Sequence, residues 1–143
     1  MDLVQALRAL LADVVTFYFQ AHGFHWNVEG PDFSQYHALF ADIYEDVYGS
    51  IDPIAENMRK LDAYAPFTLA GFIKARSLDD AAVSPDPRAM AKDLLAANAQ
   101  LIDVLNDTFA AANEANQQGI ANFLAERIDQ HQKWGWFLRA SLK

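Results

Sequence analysis

Residues His22–Glu56 read HGFHWNVEGPDFSQYHALFADIYEDVYGSIDPIAE. The stretch holds three of the four histidines and the carboxylates Asp42, Glu45, Asp46, Asp52 and Glu56. Its C-terminal part is a helix with two faces. From Ser34 to Leu61 the apolar residues Tyr36, Phe40, Ile43, Val47, Ile51, Ile54, Met58 and Leu61 recur at three- and four-residue steps, which is the buried stripe of a long amphipathic helix. At about 100° per residue a second stripe, His37, Ala41, Glu45, Tyr48, Asp52, Glu56 and Arg59, runs roughly 125° away from the first. Mixed polar and aromatic, it suits a surface that meets another chain.

His25, His37, Asp52 and Glu56 form a candidate metal-ligand set, since imidazole nitrogen with carboxylate oxygen suits a redox-active first-row ion such as iron. Asp52 and Glu56, at i and i+4, are neighbours. His37 lies fifteen residues before Asp52, or about 22 Å along one helix at about 1.5 Å per residue, and no single ion spans that gap. If all four serve one site, a second copy of the helix runs antiparallel across a two-fold axis. Asp52 and Glu56 of one chain then meet His25 and His37 of the other, twice over by symmetry. Two plainer readings stand beside this one. The histidines can be half-buried residues with satisfied nitrogens, and Asp52 can be an N-cap with Pro53 in the first turn of a new helix. The helical phase of Val47, Ile51, Ile54 and Met58 across the proline favours a continuous helix, with a kink near Gly49.

The rest of the chain supplies more helices. Leu3, Leu7, Leu10, Val14, Phe17 and Ala21 mark helix A over residues 3 to about 24, with Phe24-His25-Trp26 able to extend its last turn. Asn27 to Phe33, with Gly30-Pro31, reads as a short loop, so helices A and B are antiparallel neighbours and His25 lies near His37. Residues 62 to 86 form a long crossover in which Thr68 to Ser77 is a short helix using Leu69, Phe72 and Ile73 as apolar contacts. Helix C starts at Ser84-Pro85-Asp86-Pro87 with the stripe Met90, Leu94, Leu101, Leu105 and Phe109. Residues 114–119 break it, and helix D runs to about Ala140 through Ile120, Leu124, Ile128, Trp134 and Leu138. The fold class is all-α, a four-helix bundle with a short extra helix in the B–C crossover, in a single domain over residues 1–143.

Composition narrows the function. The chain has 143 residues, 52% hydrophobic and 13% aromatic, and no cysteine. It is too apolar for disorder, offers no thiolate ligand, and fits a reducing cytoplasm. The sequence carries no signal-peptide pattern and no apolar run near ~18 residues, which argues against a membrane role. A net charge of −8, from 11 basic and 19 acidic residues, suits a protein that attracts cations and argues against direct DNA binding, which depends on lysine and arginine.

The run His25-Trp26-Asn27-Val28-Glu29-Gly30-Pro31-Asp32-Phe33, with His37 twelve residues after His25 and then Asp52-x-x-Ala55-Glu56, resembles the Dps family of mini-ferritins. Pro66-Phe67-Thr68-Leu69, Ile128-Asp129-Gln130-His131 and Trp136-Phe137-Leu138-Arg139-Ala140 extend the likeness over nearly the whole chain. The resemblance implies a ferritin-like bundle and a homo-oligomer, a dodecamer built from two-fold dimers. It further implies an iron-storage protein that oxidises Fe(II) with hydrogen peroxide or dioxygen at an intersubunit ferroxidase site. The implied metal-binding and catalytic residues are His25, His37, Asp52 and Glu56, with Glu45 auxiliary and Trp26 an adjacent aromatic that takes up stray oxidising equivalents. The lysine-rich tail by which some members bind DNA is not in this sequence. Two features depart from the family pattern. Ala41 stands where an acid commonly follows the second histidine by four residues, and Asn116, Gln117, Gln118 and Asn122 stand where acids commonly line a three-fold pore. The alternative is a shell of the same fold with an impaired oxidation centre, and a third reading is a bundle whose polar stripe is only a dimer interface. No Glu is followed three residues later by His, so the Glu-x-x-His di-iron signature inside a bundle is excluded.

Overall fold

A computed structural model of the chain describes residues 2–82, 84 and 86–143; Val83 and Pro85, the latter part of the expected start of helix C, lie outside them. The elements are α1 (Leu3–Asn27), α2 (Phe33–Lys60), α3 (Leu69–Ala75), α4 (Pro87–Glu114) and α5 (Gln118–Ser141), with no strand among the described residues. Helix starts follow local chemistry. Asp2 accepts the Gln5 amide, Thr68 the Gly71 amide and Asp86 the Ala89 amide, with Pro87 opening α4. Each side chain satisfies one amide that the first turn leaves unpaired.

Cross-helix bonds give the directions. His25 meets His37, and His22 meets Tyr44, so α1 and α2 are antiparallel. Tyr36 pairs with Ser141 and Asp46 with Arg127, so α2 and α5 are antiparallel. Arg88 pairs with Leu142 and Asn98 with His131, so α4 and α5 are antiparallel too. It follows that α2 and α4 run parallel. The link between them therefore travels the length of the bundle, and α3 lies on that link against α1.

The core matches the apolar stripes. Leu7, Leu10, Val14, Phe17, Phe40, Ile43, Val47, Ile54, Met58, Leu94, Leu101, Leu105, Leu124 and Leu138 are all buried. By length and composition α1 is apolar enough to cross a membrane, but 61% of that window is buried inside the bundle. Its hydrophobicity is used by the core. The short helix differs from expectation: Leu69 and Ile73 point outward, and Phe72 alone of the three packs on the core. Helix α2 runs unbroken through Pro53, so Asp52 is not an N-cap. The carbonyl that Pro53 leaves without an amide belongs to Gly49, which is exposed and open to water. The cost of an interior proline, roughly 3 kcal/mol, is small beside the burial that this 28-residue helix achieves.

One polar contact in the core was not legible beforehand. Asp13 is fully buried in the middle of α1 and accepts three bonds from the crossover, from Ser77 N at 2.7 Å, Ser77 Oγ at 2.8 Å and Leu78 N at 2.9 Å. Those bonds fasten the crossover where it leaves α3. Asp13→Ala strands two backbone amides, and we expect a loss of about 2–4 kcal/mol. The urea midpoint measures it, and proteolysis within residues 61–86 should quicken in parallel.

Candidate metal centre

The five-residue loop 28–32 between α1 and α2 decides how the two helices face each other. It turns at Gly30, whose φ of 100° suits glycine, and at Asp32, whose φ of 64° is tolerated by a short polar side chain. The turn brings the end of α1 beside the first turns of α2. His25 Nδ1 then donates to the backbone carbonyl of His37 at 2.7 Å, and His37 Nδ1 donates to the carbonyl of His25 at 2.7 Å. A carbonyl can only accept, so both Nδ1 atoms carry the proton. Both Nε2 atoms are left with a free lone pair, the state a metal ligand needs. The rings stack at 3.7 Å and 15°, and Phe33 stacks on the far side of His37 at 5.0 Å. The imidazoles are thus fixed in tautomer and in orientation.

The carboxylates are elsewhere. Asp52 and Glu56 are exposed, about four to five turns further along the same unbroken helix. Among the described residues no group of three or more His, Cys, Asp or Glu side chains could hold a metal ion. One chain therefore presents an imidazole pair at one end of α2 and, separately, a carboxylate pair towards the other. Glu45 is exposed between them, and Ala41, one turn after His37, adds no donor. Trp26 is 65% exposed, and Tyr48 is exposed on the same face.

Around the imidazoles lies an aromatic shell that the sequence did not announce. Tyr44 stacks on His22 at 3.8 Å and 9° and meets His25 at 5.2 Å. His22 touches Trp26 at 4.3 Å, and its Nδ1 is bonded to the Tyr18 hydroxyl at 2.8 Å. Burial, followed by the charge interaction with His25, lowers the His22 pKa. Burial, then Tyr48 and Tyr44, raises that of Tyr18 and keeps the phenol protonated. The only sequence signal here is the i, i+4 spacing of Tyr18 and His22, which puts them on one face.

With this geometry the comparisons with known proteins are direct. A family model described as a ferritin-like domain matches residues 4–143. The solved Dps protein of Vibrio cholerae O1, described as a member of a broad superfamily of ferritin-like diiron-carboxylate proteins, superposes with a TM-score of 0.94 at 32% identity, over 99% of this chain and 89% of that one. The chain belongs to the Dps family. The DNA protection during starvation protein of Helicobacter pylori is 27% identical over 143 residues, covering 99% of both chains. A low temperature-induced protein of Nostoc is 31% identical over 142 residues, 98% of this chain and 79% of that protein.

Behind the candidate centre, on the other side of α2, a polar network ties this Dps bundle together. Arg127 donates to both Asp46 oxygens at 3.0 and 2.9 Å, and Trp134 Nε1 donates to Asp46 at 2.8 Å. His131 Nδ1 donates to Asn98 Oδ1 at 2.8 Å, which leaves its Nε2 to face Arg127 Nη2 at 3.3 Å as an acceptor. His131 is neutral as a result: burial, then repulsion by Arg127, lowers its pKa to about 3 against the attraction of Asp46. Burial pushes the Asp46 carboxyl up, but the bonds from Arg127 and Trp134 outweigh it and hold the pKa below the usual carboxylate range.

These shifts fix the sign of a pH dependence. Between pH 6.5 and about 3 the unfolded chain binds a proton on His131 that the folded chain refuses. Stability is complete above 6.5 and falls as the pH drops through that window, by on the order of 5 kcal/mol for the whole shift. Asp46 acts in the same direction at lower pH, its contribution present above the usual carboxylate range and lost as the pH falls through its lowered pKa. We expect the urea midpoint to decline steadily from pH 7 to pH 4.5, and His131→Gln to flatten that slope. An equal slope in the variant would remove His131 as its cause.

Proposed function

We propose that the protein oxidises Fe(II) at a centre shared between two chains, His25 and His37 from one and Asp52 and Glu56 from its mate. The oxidised iron is stored as a mineral inside a dodecameric shell built from such pairs. The observation that carries this reading is the reciprocal bonding of the two imidazoles. It spends both Nδ1 protons on backbone carbonyls, leaves both Nε2 lone pairs unused, and does so on a helix whose exposed carboxylates cannot reach them. Neutral imidazole with hard carboxylate holds Fe(II) and Fe(III) alike without trapping either, and four protein donors leave positions open for an oxidant. Hydrogen peroxide is the oxidant of this reading, with dioxygen as its substitute. Removal of iron and peroxide together is the physiological effect, and it accords with the protective names that the Dps relatives carry.

A second reading has a specific observation in its favour. Ala41 offers no donor one turn after His37, and Asn116, Gln117, Gln118 and Asn122, exposed where α5 begins, offer amides in place of charge. Amide oxygens ligate weakly and exert no long-range field on cations. On this reading the shell binds metal but oxidises and admits iron slowly.

Mixed chains test the shared centre. His25→Ala/His37→Ala protein and Asp52→Ala/Glu56→Ala protein should each fail to oxidise Fe(II). Co-refolding the two should restore roughly a quarter of the wild-type sites, because half of the random pairs carry one intact site of two. No recovery on mixing, with the pairs shown to form, would refute the division between chains. For the slow-admission reading, Gln117→Asp/Asn122→Asp should raise the initial rate of iron uptake in stopped-flow absorbance. Equal rates would dismiss the amides as a barrier.

A further inference from the structure

Trp136 stands out from the last turns of α5, 58% exposed, beside a cleft that α5 forms with the start of α2. Lys133 and Arg139, three residues to either side of it, share its face of the helix and are exposed. Arg88 reaches the same cleft from the first turn of α4, and among the described residues Asp32 is the one acid lining it. The result is a large apolar ring in water within a basic rim. Trp and Arg are the residues that carry most energy where two proteins meet.

On the other flank of the same end of the bundle lies a hollow of about 210 Å³ between α1 and α4, lined by Phe19, Gly23, Phe24, Ala81, Ala82 and Met90. A Cβ placed on Gly23 would meet nothing within 4 Å, so the space beside α1 is open. Benzene enters a cavity of about 150 Å³, and the hollow is of a size for the fused rings of an indole. Past Ala82 it continues into a shallower groove lined by Asp79 and Asp93. Both are exposed, and neither is ion-paired among the described residues. Asp80, where the two spaces join, already holds Arg76. Arg88 and Met90 are two positions apart, or about 200° round α4, so the cleft and the hollow face away from each other.

The two-fold pair described above closes on itself through the α2 stripe, and a shell needs a second contact that joins unlike patches. Resting on the shell part of that reading, and independent of its iron chemistry, we propose that Trp136 of one copy seats in the α1–α4 hollow of the next. Lys133 and Arg139 then face Asp79 and Asp93. The contact is heterologous, with the knob on one flank and the hollow on the other. Copies therefore follow one another head to tail around an axis beyond this end of the bundle. Three of them close a ring, and rings of three joined by two-fold pairs make twelve. The indole supplies the apolar burial, while the opposite charges fix the register and reject a like-charged approach.

The test is sedimentation velocity on the purified full chain, with the wild type expected at the mass of twelve chains. Trp136→Glu, and Gly23→Leu, which fills the hollow from its open side, should each stop at the pair with unchanged circular dichroism. Mixing these two variants should give open oligomers larger than a pair and no closed shell, because one chain keeps only a hollow and the other only a knob. Lys133→Glu/Arg139→Glu should also stop at the pair. Adding Asp79→Lys/Asp93→Lys to that chain should restore the shell, which a folding defect would not allow. A wild-type shell that Trp136→Glu or Gly23→Leu leaves intact overturns this contact while the shell reading stands. A charge exchange that restores nothing overturns the facing of the two rims. Wild-type protein that never exceeds the pair overturns the shell reading and this contact with it.

Discussion

Helix α2 is unbroken, and long enough, to keep its own functional groups apart. An α-helix advances only about 1.5 Å per residue and cannot fold back on itself, so its 28 residues hold His37 near one end and Asp52 and Glu56 towards the other. Pro53 does not interrupt this rod, because the carbonyl it deprives of a partner faces solvent at Gly49. Everything about the candidate centre follows from that separation. The imidazole pair is completed from α1, which supplies His25, and in the proposed centre the carboxylates would come from a second copy.

The two faces of α2 are stabilised by different means. Towards α5 the contact is polar and closed, with Asp46 holding Arg127 and Trp134, and Arg127 backed by a neutral His131 that Asn98 orients. Every group in that network has a partner, which is the condition under which buried polar groups rigidify a core. Towards α1 the contact is built of stacked rings, and outward from it the donors are unsatisfied: two imidazole lone pairs, two exposed carboxylates and an exposed tryptophan. The open face is the one on which the proposed function places the metal and the second chain. The closed side fixes the rotation of α2, and therefore the direction in which the open side points.

The fold was legible because it depends on period and punctuation. The stripe from Tyr36 to Met58 has a helical repeat, Asp86-Pro87 opens α4, and residues 114–119 close it, so four long helices could be placed without coordinates. The end of α1 was less clear because His25 and Trp26 belong to both readings, helix or loop, until the reciprocal imidazole–carbonyl bonds decide between them. Contacts between residues far apart in sequence were not legible at all. Nothing local to Asp13 says that Ser77 and Leu78 will meet it, and nothing local to Asp46 names Arg127. The exposed Leu69 and Ile73 show the opposite failure. A short helix on a crossover can carry an apolar pattern that its own chain does not bury, and periodicity alone does not say which surface will cover it.

Dividing a metal centre between two chains has a chemical consequence. Each half-site taken alone is a poor iron site: two neutral imidazoles bring no charge to hold a hard cation, and two exposed carboxylates on one helix turn compete with water for it. Affinity arises when the halves meet, because one ion then has both donor types and loses much of its hydration. On the proposed function, a reaction with peroxide would thereby be linked to assembly. This linkage suits a reaction whose stray product damages whatever lies nearby. Trp26 and Tyr48, exposed on the single chain, lie on the face that the proposed pairing would engage. On the proposed function, the exposed donors and rings of the isolated chain would be one half of a centre formed between two copies.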